Sequence, residues 1–142
     1  MPRCSKSYRH CVAKNKKLCP YHRSPGEIKI ARMLNANKLK YRIEQSLPYL
    51  EGDKAPLRFD FAVVNKDGQI RWVIEYDGHF HYEGHAAQQT KEQFEKQARY
   101  DRRKDAFCQR TGLPLIRIPY WLEHQLTIDM LIPSTSDYVI NV

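Results

Sequence analysis

Three acidic residues fall within the segment Leu57 to Asp77, LRFDFAVVNKDGQIRWVIEYD, and their spacing permits metal-assisted chemistry. Asp67-Gly68 lies between two apolar runs, the strongest short-range signal for a two-residue hairpin loop. With that loop Lys66 pairs with Gln69, and Asp60 falls directly opposite Glu75. Cβ atoms at such positions lie roughly 4.5–5.5 Å apart, and like charges there repel. A divalent cation between the carboxylates removes the repulsion. Glu75 and Asp77 share one face, because strand side chains repeat every two residues. The hairpin thus gathers Asp60, Glu75 and Asp77 as candidate ligands of Mg²⁺ or Mn²⁺, the ions favoured by hard oxygen donors. Arg58, opposite Asp77 in this register, could neutralise the cluster without metal. A longer loop would change the register.

The chain has 142 residues and a net charge of +8, enough for one domain with a small appendage. The charge is uneven. Residues 1–23 carry Arg3, Lys6, Arg9, Lys14, Lys16, Lys17 and Arg23 and no acid, whereas the rest is nearly balanced. A compact basic patch fits a polyanion, most simply nucleic acid. The same segment holds Cys4, Cys11, Cys19 and His22 in the pattern C-x6-C-x7-C-x2-H. Zn²⁺ takes four such ligands tetrahedrally, and Cys19 and His22 are close enough to come from one turn. A segment this short buries no core of its own, so the metal would supply its folding energy. The alternatives are His10 in place of one ligand, or three free cysteines in a basic arm. Cys108 stands far from this group and reads as a packed thiol. No apolar run reaches the length of a membrane span, and Met1-Pro2-Arg3 does not begin a signal peptide. A reducing cytoplasm is the expected location, with cysteines serving as metal ligands or thiols.

The elements that position these residues follow in order. Ser24-Pro25-Gly26-Glu27 opens a helix, with Ser24 as N-cap and Glu27 completing an S-x-x-E capping box. It ends near Asn35 to Asn37. A strand over Lys40 to Ser46, a loop from Pro48 to Pro56 and the hairpin come next. Phe59, Phe61 and Val63 on one strand and Trp72, Ile74 and Tyr76 on the other form an apolar face, leaving the acids on the opposite face. Gly78 to His85 is a histidine-rich loop, GHFHYEGH. A long polar helix over Gln88 to Arg110, capped by Gly112, leads to an apolar strand PLIRIP, and Trp121 to Ile132 form a last helix. This is a mixed α/β domain, an α+β arrangement with helices flanking a mixed sheet. The expected organisation is a zinc-binding module over residues 1–23 and a second domain over residues 24–142.

The order SxGE, FDF, IEYDG-x-x-H, YDRRKDAFC and LIRIPY resembles the PD-(D/E)XK nuclease superfamily. Within it, the likeness is to very-short-patch-repair-type nucleases and phage EDxHD homing-type endonucleases, from about Ser24 to Tyr120. Residues 1–23 resemble the small CCCH zinc knuckles placed ahead of many phage-type nucleases. The resemblance implies a restriction-endonuclease-like core and a phage or mobile-element origin. It puts Asp60 at the Asp of the PD motif and Glu75 at the acidic position of (D/E)XK. The superfamily's lysine falls at position 77, where this chain has Asp77. His81 and Asp101 match the histidine and aspartate of the related branch, and Glu27 matches a first-helix glutamate that approaches metal.

Phosphodiester hydrolysis needs an activated water, a Lewis acid and stabilisation of the leaving oxygen. A neutral imidazole suits the base, and His79 and His81 would point the same way along an extended segment. Asp101 would orient His81 or touch metal, and Lys104 on the same helix face would contact phosphate or replace the missing lysine. An ordinary surface ion pair is the simpler account of those two, and the capping box alone accounts for Glu27. Arg102 and Arg103, with Arg99, are expected to meet the DNA backbone or water and not to do chemistry. The expectation is a metal-dependent endodeoxyribonuclease or nickase acting on double-stranded DNA. Zn²⁺ would be structural, Mg²⁺ or Mn²⁺ catalytic, and the protein a monomer or weak homodimer in a bacterial or phage-infected cell. A non-catalytic nucleic-acid-binding module with the same fold is the alternative, kept open by Asp77.

Overall fold

A computed structural model describes residues 24–78 and 90–134. Cys4, Cys11, Cys19, His22, the seven basic residues beside them, His79 and His81 all lie outside the described residues.

The first helix, α1, runs over Pro25–Ala36. Ser24 caps it by accepting the Glu27 N–H, Pro25 occupies its first turn, and Ile30, Ala31 and Leu34 are its buried stripe. Three antiparallel-linked strands follow: β1 (Lys40–Glu51), β2 (Pro56–Val64) and β3 (Ile70–Asp77). The long helix α2 spans Lys91–Thr111. A full capping box between Thr90 and Gln93 starts it, and Gly112, in the left-handed region at φ 75°, stops it. It leads into β4 (Leu115–Pro119), which lies parallel to β3. The result is a four-stranded mixed sheet in the order β1-β2-β3-β4 with helices packed on it.

Apolar side chains bury both faces. On one, α1 meets Phe61, Val63, Trp72, Ile74, Tyr76 and Ile118. On the other, Phe107 and Cys108 of α2 meet Leu57, Phe59, Ala62, Val64 and Val73. The acids' face is therefore covered by a helix. The expectation that Phe59 shares a face with Phe61 fails, because the two lie in different cores. The face switch falls at Asp60. Opposite it, between the pairs Ile43↔Phe61 and Gln45↔Phe59, Glu44 takes φ 53°, in the left-handed region that breaks strand alternation.

Other boundaries differ for packing reasons. The chain from Pro48 to Glu51 stays in β1 instead of looping, since Leu47 and Leu50 are buried, and a tight turn closes with Gly52 N–H donating to Ala55 O at 2.8 Å. The expected last helix is two 3-10 turns, Tyr120–Gln125 and Ile128–Leu131, with extended backbone at Leu126 between them. Burying both Leu126 and Leu131, and accepting the Trp72 indole N–H at Leu131 O (2.9 Å), overrides regular helix there. Among the described residues no helix is long and apolar enough to cross a membrane.

Candidate active site

The β2–β3 hairpin builds the acidic centre, though its loop is not the expected one. Asn65 N–H donates to Gln69 O at 2.9 Å, and Gly68 N–H closes back onto Asn65 O at 3.0 Å with Gly68 at φ 83°. The Asn65 side chain accepts the N–H groups of Asp67 and Gln69, which favours this longer loop. That loop shifts the register by one residue. Arg71, an extra residue between the pairs Val64↔Ile70 and Val63↔Trp72, shifts it back. The ladder then continues to Phe61↔Ile74, so the next positions, Asp60 and Glu75, face one another as the shorter loop would have required.

There the carboxylates take over from the backbone ladder. Asp60 N–H donates to Glu75 Oε1 at 2.8 Å, and Tyr76 N–H donates to Asp60 Oδ2 at 2.8 Å. These bonds fix both side chains and satisfy part of their acceptor capacity. Lys104, from α2, donates to Glu75 Oε2 at 3.0 Å, and the two side chains are only 11% and 5% exposed. Burial pushes the Asp60 carboxyl well above the ordinary range, and the charges of Glu75 and Glu27 push the same way. Burial also raises Glu75, with Lys104 opposing it. Among the described residues no ion pair reaches Asp60.

Glu27 reaches this centre through the helix start. Its Oε1 accepts the Ser24 hydroxyl at 3.1 Å in place of the Ser24 backbone N–H, so among the described residues only the Ser24 half of the expected capping box forms, and Glu27 also lines the same pocket as Asp60. Gly26 makes this approach possible, since a Cβ there would run into the Tyr76 ring. The pocket holds about 570 Å³, with Asp60 and Glu75 joined by Glu27, Tyr100, Asp101 and Lys104 along its walls.

Asp77 goes elsewhere. It does not line the pocket; it is buried against Arg117 of β4, Nη1 to Oδ1 3.3 Å. Arg117 also reaches Asp101 Oδ1 (3.6 Å), Asp101 O (3.2 Å) and Asp105 Oδ1 (2.9 Å). Burial works against its charge, yet those acids push its pKa above the ordinary value. Arg58, the expected partner of Asp77, instead faces Glu44 at 3.8 Å. Asp101 thus belongs both to the pocket wall and to the Arg117 cluster. Arg103 is engaged by Asp53 Oδ1 (3.4 Å) and Glu51 O (3.3 Å), and Arg99 by Asp53 Oδ2 (2.9 Å), while Arg102 is exposed. Cys108 is a buried thiol pushed up to about 12, which leaves it unreactive.

Sequence reasoning missed Arg117 and the pocket residues Gln93, Lys96, Gln97 and Tyr100. The signal for the latter is helical spacing: they and Lys104 recur at intervals of three and four residues, one face of α2.

Among known proteins, the family model described as "Protein of unknown function (DUF2726)" matches residues 28–127, most of the chain. The chain belongs to the DUF2726 family. The match spans α1 to the first 3-10 turn and so includes Asp60, Glu75 and Lys104, while Glu27 lies just before it. No curated protein and no solved structure matches the chain.

Among the described residues, no three or more His, Cys, Asp or Glu side chains converge as a metal cage. The Asp60–Glu75 pair is a two-carboxylate site, and Mg²⁺ is commonly held by one or two carboxylates, with water and substrate phosphate completing its shell. The donor set fits such an ion: both donors are hard oxygens, and a cation would offset the burial and the Glu75 and Glu27 charges that disfavour ionised Asp60.

Proposed function

We propose that this protein is a metal-dependent DNA endonuclease or nickase of the PD-(D/E)XK type. One observation carries the reading: the buried Glu75 and the half-buried Asp60 adjoin in the lining of an open pocket, with a lysine ammonium 3.0 Å from Glu75. A structural core alone has little reason to set two carboxyl groups against each other out of water, because desolvating them is costly. The four-stranded mixed sheet with flanking helices is compatible with a restriction-endonuclease-like core.

Asp60 and Glu75 would hold Mg²⁺ or Mn²⁺, with Glu27 beside them. Such an ion, when bound, polarises a phosphoryl oxygen and lowers the pKa of a bound water. Lys104 opposes protonation of Glu75 and sets a fixed positive charge at the pocket floor, where negative charge builds on the phosphate oxygens. Lys104 thereby stands in for the lysine absent at position 77, and Asp77 serves the Arg117 cluster instead of the metal. His79 or His81 is the proposed base. Cys4, Cys11, Cys19 and His22 would hold Zn²⁺ in a knuckle whose basic residues, Arg3 to Lys17, grip the duplex.

The test is conversion of supercoiled plasmid to open-circle or linear DNA with Mg²⁺, Mn²⁺ or EDTA, using wild type, Asp60→Asn and Lys104→Met. Metal-dependent conversion by wild type alone is the expected result. Salt-sensitive DNA binding with no cleavage under either metal would replace this reading with the non-catalytic binding module. An Asp60→Asn variant as active as wild type would move the chemistry away from the hairpin.

A further inference from the structure

We infer that Lys96 is a substrate-binding residue that takes a phosphate neighbouring the one at the acidic centre, with the α2 face as the docking wall. The inference rests on the nuclease reading and deepens it.

The cations of α2 are divided by their partners. Arg99 and Arg103 are committed to Asp53, Lys104 to Glu75, and Lys91 to Glu95 at 3.9 Å. Arg110 lies over the Phe107 ring, 5.6 Å from its centroid. Arg102 is exposed and does not line the pocket. Lys96 does line it, and among the described residues it forms no ion pair. Its ammonium sits 5.4 Å from the centre of the Tyr100 ring, a cation–π distance that holds it over the pocket wall.

The pocket is consequently graded in charge. Its lining carries Glu27, Asp60 and Glu75 with Lys104 against Glu75, and α2 adds Lys96, which among the described residues has no ion pair, with the amides of Gln93 and Gln97 beside it. An acidic floor alone repels a polyanion. The Lys96 ammonium on the wall offsets that repulsion and draws the substrate in along one side. Phosphodiester backbones repeat a charge at every nucleotide, so a strand with one phosphate at the floor brings another past the wall. Lys96 is a point charge suited to a phosphate oxygen, and the Tyr100 ring, which Arg99 and Arg103 also approach at 5.8 and 5.4 Å, gathers positive charge along the same wall. Tyr100 is itself fixed, because its hydroxyl accepts the Asp53 N–H at 2.8 Å.

The experiment measures binding of the full-length protein to a labelled duplex with Ca²⁺ at several salt concentrations, and steady-state cleavage with Mg²⁺. The variants are Lys96→Glu and Lys96→Gln. Lys91→Glu, the same charge change outside the pocket, is the control. Lys96→Glu should weaken binding about tenfold, and the slope of log K against log salt should fall by about one unit, the signature of one lost phosphate contact. Lys96→Gln should fall between it and wild type. In cleavage, KM should rise more than kcat falls, as for loss of ground-state binding. Equal weakening by Lys91→Glu, or wild-type affinity and salt slope in Lys96→Glu, would overturn the inference while leaving the nuclease reading standing. Wild-type protein that neither binds nor cuts DNA would overturn both.

Discussion

The Nζ atom of Lys104 lies 3.0 Å from Oε2 of Glu75, joining the long helix to the third strand across a sequence separation of 29 residues. Both side chains are nearly buried, and Glu75 Oε1 simultaneously accepts the Asp60 N–H. This pair ties the packing of α2 to the geometry of the acidic centre.

Lys104→Met should therefore do two things. It leaves Glu75 buried without its cation, which costs on the order of 3 kcal/mol. It should also abolish plasmid cleavage. Adding Glu75→Gln to Lys104→Met should recover much of the stability and none of the activity, read by denaturant melts beside the plasmid assay. A single mutant of wild-type stability would show that the pair contributes little to the fold.

The titration of Asp60 gives a pH signature. Its folded-state pKa is raised well above 3.8, and that of Glu75 above 4.5. The folded protein then holds protons that the unfolded chain has released. Stability from these groups is largest below their unfolded values and is lost as pH rises through the raised folded values. In EDTA, wild type should melt at a higher temperature in mildly acidic than in neutral buffer as far as these groups decide it. Asp60→Asn should remove part of that slope and raise Tm most at neutral pH. Mg²⁺ should flatten the wild-type slope by stabilising the charged forms. A Tm profile identical in wild type and Asp60→Asn would contradict the raised titration of Asp60.

Asp77 and Asp60 should separate in metal titrations. Asp77→Asn weakens a buried pair with Arg117 and should lower Tm, yet leave the Mg²⁺ concentration for half-maximal cleavage near that of wild type. Asp60→Asn should lose the metal response altogether. A large shift in metal requirement for Asp77→Asn would return Asp77 to the ligand set.

Gly26→Ala forces a methyl group into the Tyr76 ring. Overpacking of this kind costs about 1–3 kcal/mol and would push the start of α1, with Glu27, away from the sheet. Lower Tm and slower cleavage are expected, with both partly restored by adding Tyr76→Leu. Failure of the second change to restore stability would mean that the close approach is not the source of the effect.

Zinc content tests residues 1–23 independently of the nuclease chemistry. Metal analysis of purified protein should find Zn²⁺ bound to wild type and reduced in Cys19→Ser. Equal zinc in both would remove Cys19 from the proposed knuckle.

Local rules carried much of the sequence reading. Ser24, Pro25 and Glu27 mark the start of α1, and Gly112 marks the end of α2, because caps depend on a few adjacent residues. The opposition of Asp60 and Glu75 was also legible, though through a compensation that the sequence alone does not reveal. The loop is longer than Asp67-Gly68 implied, and the extra residue Arg71 cancels the shift.

The sequence by itself determined which residues could do chemistry and which short elements carry them. Cap preference, strand periodicity and charge are properties of neighbouring residues. Only the tertiary structure decided who meets whom. The parallel arrival of β4 beside β3 set Arg117 against Asp77, and the packing of α2 on Phe59, Ala62 and Val73 turned Lys104 towards Glu75. The switch of faces at Asp60, opposite the left-handed Glu44, likewise follows from burying both sides of the sheet. Such contacts join residues far apart in the chain, and the helix rotation and strand order that create them are set by the whole core.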